Sequence, residues 1–222
     1  MPVVAIGYDC SWDPPDQVCM VSLLGARFIV RYASRDPSKN LTQAELDSAL
    51  SNGLAVCVVW QEGKTQMLRG WDGGIQDAND AEAFVNGLGL GGIPIYFACD
   101  DDITFYSNQQ IAAVDNYVDA TRSVVGNSRN GGYGSFDFCK RELDRGAMVW
   151  GWQTYGWSGD RWEERCQLRQ VNNNVTVCGG TIDWDEARYA DYGQWPRPSG
   201  TVEPAPDDDE EDYTAYPAHI WR

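Results

Sequence analysis

The stretch IPIYFACDDDIT, residues 93–104, decides the fold of this sequence, because it places a nearly continuous apolar run directly before three aspartates. Such an apolar run is typical of a strand that is buried on both faces of a parallel sheet. Three adjacent carboxylates repel one another, so their position needs a physical reason. Three reasons are open: a solvated loop that caps the next helix, a cation site, or acid–base chemistry on a bound substrate.

Three similar apolar runs precede this stretch, at residues 3–9, 27–33 and 54–62. Helix-like segments lie between them. The segment LTQAELDSALSNG has a capping box from Thr42 to Glu45 and a glycine stop at Gly53, and the segments 77–89 and 107–126 carry apolar residues at helical spacing. Strands that alternate with helices in this way predict a parallel sheet.

The second half of the chain continues the pattern with shorter connections. Its strand candidates are residues 131–138, 147–155, 166–171 and 181–187, and the helices between them are short or missing. No GxGxxG follows the first strand, which argues against a nucleotide-binding fold. We therefore predict an α/β domain over residues 1–193, a (β/α)8 TIM-type barrel with a degenerate second half, followed by a Pro-rich acidic tail over residues 194–222.

The charge and the hydropathy of the chain exclude several partners. A formal net charge of -16 argues against nucleic acid and against an anionic membrane surface, since both attract Lys/Arg patches. No run approaches the roughly 20 apolar residues of a membrane-spanning helix. The start MPVVAIGYDC lacks the basic region of a signal peptide, so no signal peptide is visible.

Seven cysteines and one histidine occur without any CxxC pair, so we predict no metal site. Cys10, Cys57 and Cys99 lie in strand-like runs and are interpreted as small core residues. Cys166 and Cys178 bracket a segment that is able to fold back as a hairpin. That pair is the predicted disulfide.

Acidic residues stand at the ends of four predicted strands: Asp9, Glu62, the run Asp100–Asp102, and Asp183 with Asp185. In α/β barrels the carboxyl ends of the strands line the active site, so these groups are expected to share one pocket mouth. Strand alternation predicts that Asp100 and Asp102 face the same way, whereas Asp101 and Thr104 serve the loop or a cap. Two like charges in one pocket raise one pKa, as a general acid requires.

Six motifs give the sequence a family resemblance: GYDCS, FIVRYAS, IYFACDDD, GGYGSF, VWGWQTY and TIDWDEA. In this order and spacing they resemble the glycoside-hydrolase-like family of actinobacterial and actinobacteriophage proteins, which is distantly similar to the family-25 lysozymes. The resemblance covers about residues 3–192. It implies a barrel whose relatives cleave the bond between N-acetylmuramic acid and N-acetylglucosamine in peptidoglycan.

The resemblance implies roles for individual residues. Asp9, Asp100, Asp102 and Asp183 match the acidic positions of those lysozymes, although the lysozymes carry Glu at the position of Asp102. Glu62 is the substitute acid if the shorter Asp102 does not reach the leaving oxygen. Neither a metal nor another cofactor is implied. The side chains expected to bind the glycan are Trp12, Arg31, Trp60, Tyr133, Trp152, Tyr155 and Trp184, with Arg31 paired to a strand-end carboxylate.

Two functions from different classes remain. The first is a muramidase-like glycosidase that acts on cell-wall polysaccharide. The second is a non-catalytic wall-glycan binder or a virion structural protein that keeps the barrel. On either reading the partner is a cell-wall glycan and the location is extracellular or virion-associated. A virion or another protein is the expected further partner, through the tail residues Tyr213, Tyr216 and Trp221.

Overall fold

The structure, a computed structural model, describes residues 2–12 and 14–198, which form one closed barrel of eight strands. All eight predicted strands are present, in sequence order around the barrel. Their bounds are β1 Ala5–Cys10, β2 Phe28–Ala33, β3 Ala55–Trp60, β4 Ile95–Ala98, β5 Asn130–Gly134, β6 Trp150–Thr154, β7 Leu168–Val177 and β8 Gly180–Ala187.

The strand directions depart from a (β/α)8 TIM barrel. Strands β1 to β7 pair in parallel, but β8 runs antiparallel to both β7 and β1. Only Cys178 and Gly179 connect β7 to β8, and both have positive φ angles of 50° and 82°. A two-residue turn of this kind makes a hairpin, whereas a parallel connection needs a crossover of a dozen or more residues. The prediction of a TIM-type barrel is therefore wrong at its last strand.

Five α-helices cover the outside of the barrel: α1 Gln17–Leu24, α2 Gln43–Ser51, α3 Gly70–Gly87, α4 Asn108–Val125 and α5 Phe136–Asp144. Half of the predicted capping box of α2 is present: the Thr42 side chain accepts a hydrogen bond from the amide of Glu45, but the Glu45 carboxylate binds Arg31 instead of returning to Thr42. Helix α5 begins inside the run predicted as strand 131–138. Ser135 caps its first turn by accepting a bond from the Phe138 amide, so the strand ends before the run does.

Two apolar layers hold the barrel together. One fills the barrel interior around Phe28, Tyr96 and Trp152, and the other lies between the strands and the surrounding helices. Gly7 on β1 leaves room for the interior layer, because a Cβ at this position would stand 2.5 Å from the Phe28 ring. The filled interior closes the barrel below its mouth, so ligands have access only at the ends of the strands.

The disulfide joins Cys19 on α1 to Cys178 at the tip of the β7–β8 hairpin, with a Cα–Cα distance of 5.8 Å. The predicted pairing of Cys166 with Cys178 is wrong. Cys166 precedes β7, at the opposite end of the strand from the tip, and it is a buried thiol against Gly151. The prediction that Cys10, Cys57 and Cys99 are buried core residues is confirmed.

Residues 194–198, at the start of the predicted tail, continue along the barrel. Trp195 and Val56 exchange two backbone hydrogen bonds of 2.8 Å, which adds a short antiparallel bridge beside β3. The remainder of the predicted tail, including Tyr213, Tyr216 and Trp221, lies outside the described residues.

Candidate active site

Three aspartates stand on the seam where β1 meets β8. Asp9 lies directly opposite Asp183 in the strand register, and Gly7 lies opposite Asp185. Because side chains alternate along a strand, these positions share one face of the sheet. The antiparallel course of β8 brings Asp183, from the middle of the strand, to the mouth and leaves Asp185 deeper in the barrel.

Asp9 is almost completely enclosed, with only 2% of its surface exposed. Its Oδ1 accepts a hydrogen bond of 3.2 Å from the Tyr32 hydroxyl, and its Oδ2 accepts one of 2.8 Å from Gln170 Nε2. Burial raises the pKa of Asp9 to about 7, and the charge of Asp183 adds to the rise, while hydrogen bonds oppose it. Asp9 therefore changes its charge near neutral pH.

Gln170 on β7 connects the groups of this seam. Its Nε2 donates to Asp9 and, at 3.2 Å, to Asp183 Oδ2, while its Oε1 accepts a bond of 2.9 Å from the Tyr133 hydroxyl. Sequence reasoning missed Gln170. The available signal was a buried-strand run, CQLRQV, whose inward-facing position is occupied by an amide instead of an apolar side chain.

A cavity of about 340 Å³ opens beside Asp9 and Asp183. Asp183 is half-buried there, accepts a bond of 2.7 Å from the Asn174 amide, and has its pKa raised by burial. The loop after β1, strand β2 and the β7–β8 hairpin supply the remaining lining, which consists of Cys10, Ser11, Trp12, Tyr32, Asn174, Thr181 and Ile182. The hairpin is thus one wall of the cavity.

Asp100 approaches the same mouth from the β4 side. It is half-buried and accepts a bond of 3.1 Å from Gln61 Nε2. Burial raises the pKa of Asp100, as do the charges of Asp101 and Asp183, against the opposing charges of Lys64 and Lys39. The charge of Asp183, on the opposite side of the mouth, thus acts on Asp100.

Asp101 and Asp102 are engaged within their own loop. Asp101 accepts bonds from the Asp102 amide at 2.8 Å and from the Tyr106 hydroxyl at 2.9 Å. Asp102 caps a short 3₁₀ turn, where it accepts bonds from the amide and the hydroxyl of Thr104 at 3.0 and 2.6 Å. The alternation used to predict an Asp100–Asp102 pair does not apply, because β4 ends at Ala98.

Glu62, the predicted substitute acid, belongs to a network of ion pairs. It accepts a bond from the Arg35 amide, and its Oε2 lies 3.6 Å from Arg35 Nη1. Arg35 also contacts Asp77 at 2.7 Å and Asp80 at 2.8 Å on α3. In this structure Glu62 therefore fastens the loop that bears Arg35 at the rim of the barrel.

The predicted aromatic platform divides into exposed and buried rings. Trp12 and Tyr155 are 56% and 44% exposed, so their rings are accessible to a glycan. Trp60, Trp152 and Tyr133 are buried, and Trp184 packs against the outer apolar layer. Those four therefore support the barrel and do not offer a stacking surface. Exposed rings that sequence reasoning missed are Phe105 and Trp157.

Arg31 has a different partner from the predicted strand-end carboxylates. Its guanidinium pairs with Glu45 on α2 through two bonds of 2.5 and 3.2 Å, and it also donates to the carbonyl of Cys10. Arg31 is itself 2% exposed, so it does not reach a ligand. Its role is to hold the end of β1, next to Asp9, against the outer helix.

Within residues 2–12 and 14–198, no group of three or more His, Cys, Asp or Glu side chains is arranged to hold a metal ion. Over the same part of the chain, no helix combines the length and the hydropathy needed to cross a membrane.

An eight-stranded α/β barrel with carboxyl groups gathered at one mouth defines a protein of the glycoside-hydrolase-like class. More narrowly, the chain belongs to the Rv2525c-like, glycoside hydrolase-like domain family, whose sequence profile matches residues 22–189. The family resemblance noted in the sequence is thereby confirmed.

Solved structures share the fold at low identity. The Tat-secreted protein Rv2525c of Mycobacterium tuberculosis, solved with L-tartrate, is 23% identical with a TM-score of 0.77, over 86% of this chain and 99% of that one. A lysozyme from Streptomyces coelicolor is 12% identical with a TM-score of 0.55, over 83% and 92% of the two chains. A family GH25 lysozyme from Aspergillus fumigatus is 13% identical with a TM-score of 0.51, over 83% and 94%. No curated protein sequence matches significantly.

Proposed function

We propose that this protein is a glycosidase that acts on the polysaccharide of a bacterial cell wall, peptidoglycan, at the mouth of the barrel. The observation that carries the proposal is a set of three acids with raised pKa values at the strand ends: Asp9 and Asp183 line a cavity of about 340 Å³, and Asp100 follows β4. Glycosidic cleavage requires one carboxyl group that donates a proton, which a raised pKa favours, and one carboxylate. The exposed rings of Trp12 and Tyr155 add surfaces for sugar stacking.

In this proposal Asp100 is the general acid. It is the half-buried carboxyl group of the β4 side whose pKa is raised by burial, which favours its protonated form, and it still meets solvent. The acid gives its proton to the leaving glycosidic oxygen while the C–O bond breaks. Asp183 and Asp9, as carboxylates across the mouth, stabilise the positive charge that develops on the sugar ring, and water then adds to the sugar carbon and returns a proton to Asp100. Asp102 remains the alternative acid, since its position matches the lysozyme glutamate.

A non-catalytic glycan-binding protein is the second candidate function. The observation in its favour is that the Asp102 carboxylate binds Thr104 and the Glu62 carboxylate binds Arg35, which engages two of the five predicted catalytic acids in structural contacts. A binder needs the cavity and the aromatic rings but no proton donor. The two functions differ in turnover.

We also propose that the protein works outside the cytoplasm. The disulfide between Cys19 and Cys178 is of the kind that persists in oxidising compartments, and the structurally similar Rv2525c is a Tat-secreted protein. Association with a virion, through residues 199–222, stays a prediction. Deletion of those residues would test it by the loss of an assembly contact with glycan binding unchanged.

The decisive experiment incubates the purified protein with actinobacterial peptidoglycan and measures new reducing ends. Wild type is expected to release them, and Asp100→Asn to release at least about 100-fold fewer, since general acids contribute factors of that size. Asp101→Asn is the matched control from the same loop and should retain turnover. Asp102→Asn tests the alternative acid. If wild type binds the polymer and releases no reducing ends, the binding function replaces the enzyme.

A further inference from the structure

Asp185 on β8 is a buried acid that the proposed mechanism leaves without a role. None of its surface is exposed. Its Oδ1 accepts a hydrogen bond of 2.8 Å from Trp152 Nε1. Its Oδ2 has no donor among the described residues, although the carboxyl group of Asp9 lies within hydrogen-bonding reach. A buried polar atom without a partner costs free energy, so this oxygen needs an explanation.

Within residues 2–12 and 14–198, no positively charged side chain pairs with Asp185. The titratable groups that act on it are Asp9 on β1, Asp183 on its own strand, Cys57 on β3 and Tyr133 on β5. The hydrogen-bond donors to the three carboxyl groups are all uncharged: Tyr32, Gln170, Asn174 and Trp152. No ion pair found between described residues includes Asp9, Asp183 or Asp185.

Two acids in contact without a cation cannot both be ionised in a buried site. Asp9 accepts two hydrogen bonds, from Tyr32 and Gln170, which favour its carboxylate. Asp185 accepts one, at Oδ1, and its other oxygen faces a carboxylate that is itself an acceptor. Both oxygens of Asp185 have a hydrogen-bond partner when Oδ2 carries a proton and donates it to the Asp9 carboxylate.

We propose that Asp185 is a protonated positioning residue that donates its Oδ2–H to the Asp9 carboxylate and so fixes both the charge and the orientation of Asp9 at the cavity. Asp185 does not touch the substrate. It acts through Asp9, in the way that a neutral acid serves as a hydrogen-bond donor in an apolar site.

The electrostatics agree with this geometry. Burial raises the pKa of Asp185 well above its usual range, and its hydrogen bond with Asp9 raises it further. The same bond has the opposite effect on Asp9, whose pKa it lowers from the value that burial would give. The proton thus belongs to Asp185 on both counts, and Asp9 is the anion above about pH 7.

Asp185→Asn is the central variant, because an amide reproduces the protonated acid: its oxygen accepts from Trp152 and its NH₂ donates to Asp9. Infrared spectra at about pH 8 are expected to contain the carbonyl band of a neutral carboxylic acid that disappears in Asp185→Asn and persists in Asp183→Asn. The reference protein and both variants carry Glu142→Gln, because burial raises the pKa of Glu142 to about 8 and would add a second band. Absence of the band in the Glu142→Gln reference, or its survival when Asp185→Asn is added, overturns the proposal.

Stability provides a second measurement. In the unfolded chain Asp185 loses its proton near about pH 4, whereas the native protein retains it, so the contribution of Asp185 to the free energy of unfolding falls as pH rises. Asp185→Asn lacks this contribution. Above about pH 5, its free energy of unfolding should therefore decline less steeply with pH, by the equivalent of one proton. Equal slopes for wild type and variant would contradict the proposal. Neither measurement depends on glycan cleavage, so a failure of the proposed function leaves both interpretable.

The positioning role rests on the proposed function and has its own readout. Asp185→Leu removes the donor and is expected to shift the acidic limb of the pH profile, for turnover or for glycan affinity, to higher pH. Asp185→Asn should restore the wild-type profile. If both variants shift the profile alike, Asp185 is merely structural. If Asp185→Leu does not fold, the comparison of wild type with Asp185→Asn still decides where the proton lies.

Discussion

The two sides of the barrel mouth each carry three aspartates, yet they are built differently. On the β1–β8 seam, Asp9, Asp183 and Asp185 lie on paired strands and bind uncharged donors from the nearby strands β2, β6 and β7. On the β4 side, the run Asp100–Asp102 follows the end of its strand and mostly bonds within its own loop. The same residue type is therefore a buried acid on one side and largely a loop-forming residue on the other.

The environment of each carboxylate, more than the number of carboxylates, sets the chemistry of this mouth. Burial is the leading cause of every raised pKa among these aspartates. Asp100, in the β4 run, shares this property with the seam. It thereby connects the two sides.

The largest effect is expected from the disulfide that fastens the seam side. Replacement of both Cys19 and Cys178 by serine should lower the free energy of unfolding by about 2–5 kcal/mol, because the bridge closes a long loop. The residues are separated by 159 positions. Denaturant unfolding measures the loss, and a reducing agent should weaken wild type without affecting the double variant. Peptide mapping that joins Cys178 to Cys166 would contradict the structure.

The second prediction separates the two sides by pH. The pKa of Asp9 rises from 3.8 to about 7 on folding, so its stabilising contribution is complete below about pH 4 and is lost as pH rises to about 7. At about 1.4 kcal/mol per pKa unit, the loss is roughly 4 kcal/mol. Asp9→Asn should therefore flatten the pH dependence of the free energy of unfolding by one proton in this range.

Asp100→Asn is the matched variant of the β4 side in the same titration. The pKa of Asp100 is also raised on folding, so the effect on the free energy of unfolding has the same sign as at Asp9. Asp100→Asn should stabilise the protein at neutral pH and leave its stability unchanged at pH 4. We expect a smaller effect than at Asp9, because solvent screens the half-buried carboxyl group. Equal effects at both positions would break the distinction between the two sides.

Gln170 provides a third contrast. Gln170→Ala leaves the Tyr133 hydroxyl without its acceptor and deprives Asp9 and Asp183 of a donor, which should cost about 1–3 kcal/mol. Gln61→Ala, which removes the donor to Asp100, should cost under about 0.5 kcal/mol, because that contact meets solvent. Chemical denaturation at neutral pH measures both losses of stability. A larger loss for Gln61→Ala than for Gln170→Ala would contradict the view that the seam contributes more to stability than the β4 side.

The smallest effect concerns the cap in the β4 loop. Asp102→Ala should lower the free energy of unfolding by about 1 kcal/mol, since it removes the acceptor for the Thr104 amide. Asp102→Asn should retain nearly full stability, because asparagine is an equally good cap. Thermal unfolding distinguishes the variants. If Asp102→Ala is as stable as wild type, the side chain does not serve as a cap, and its role as an acid gains support.

The eight strands and the meeting of Asp9, Asp100 and Asp183 at one mouth could be predicted from the sequence, because buried strands and strand-end carboxylates leave local patterns. The direction of β8 could not be predicted in this way, since an alternating strand has the same pattern in either direction. The turn at Cys178 and Gly179 was the overlooked signal. The partner of Arg31 depends on how α2 packs, which no local pattern records.

The antiparallel course of β8 also sorts what reaches each of its acids. Asp183 and Asp185 point to the same face two residues apart, so their positions differ in depth by about 7 Å. The first borders the cavity, and the second has no exposed surface. Of these two acids, a carboxyl-modifying reagent in solution is therefore expected to react with Asp183 and not with Asp185. A single strand thus carries one acid that is accessible from the cavity and one that is shielded inside the barrel.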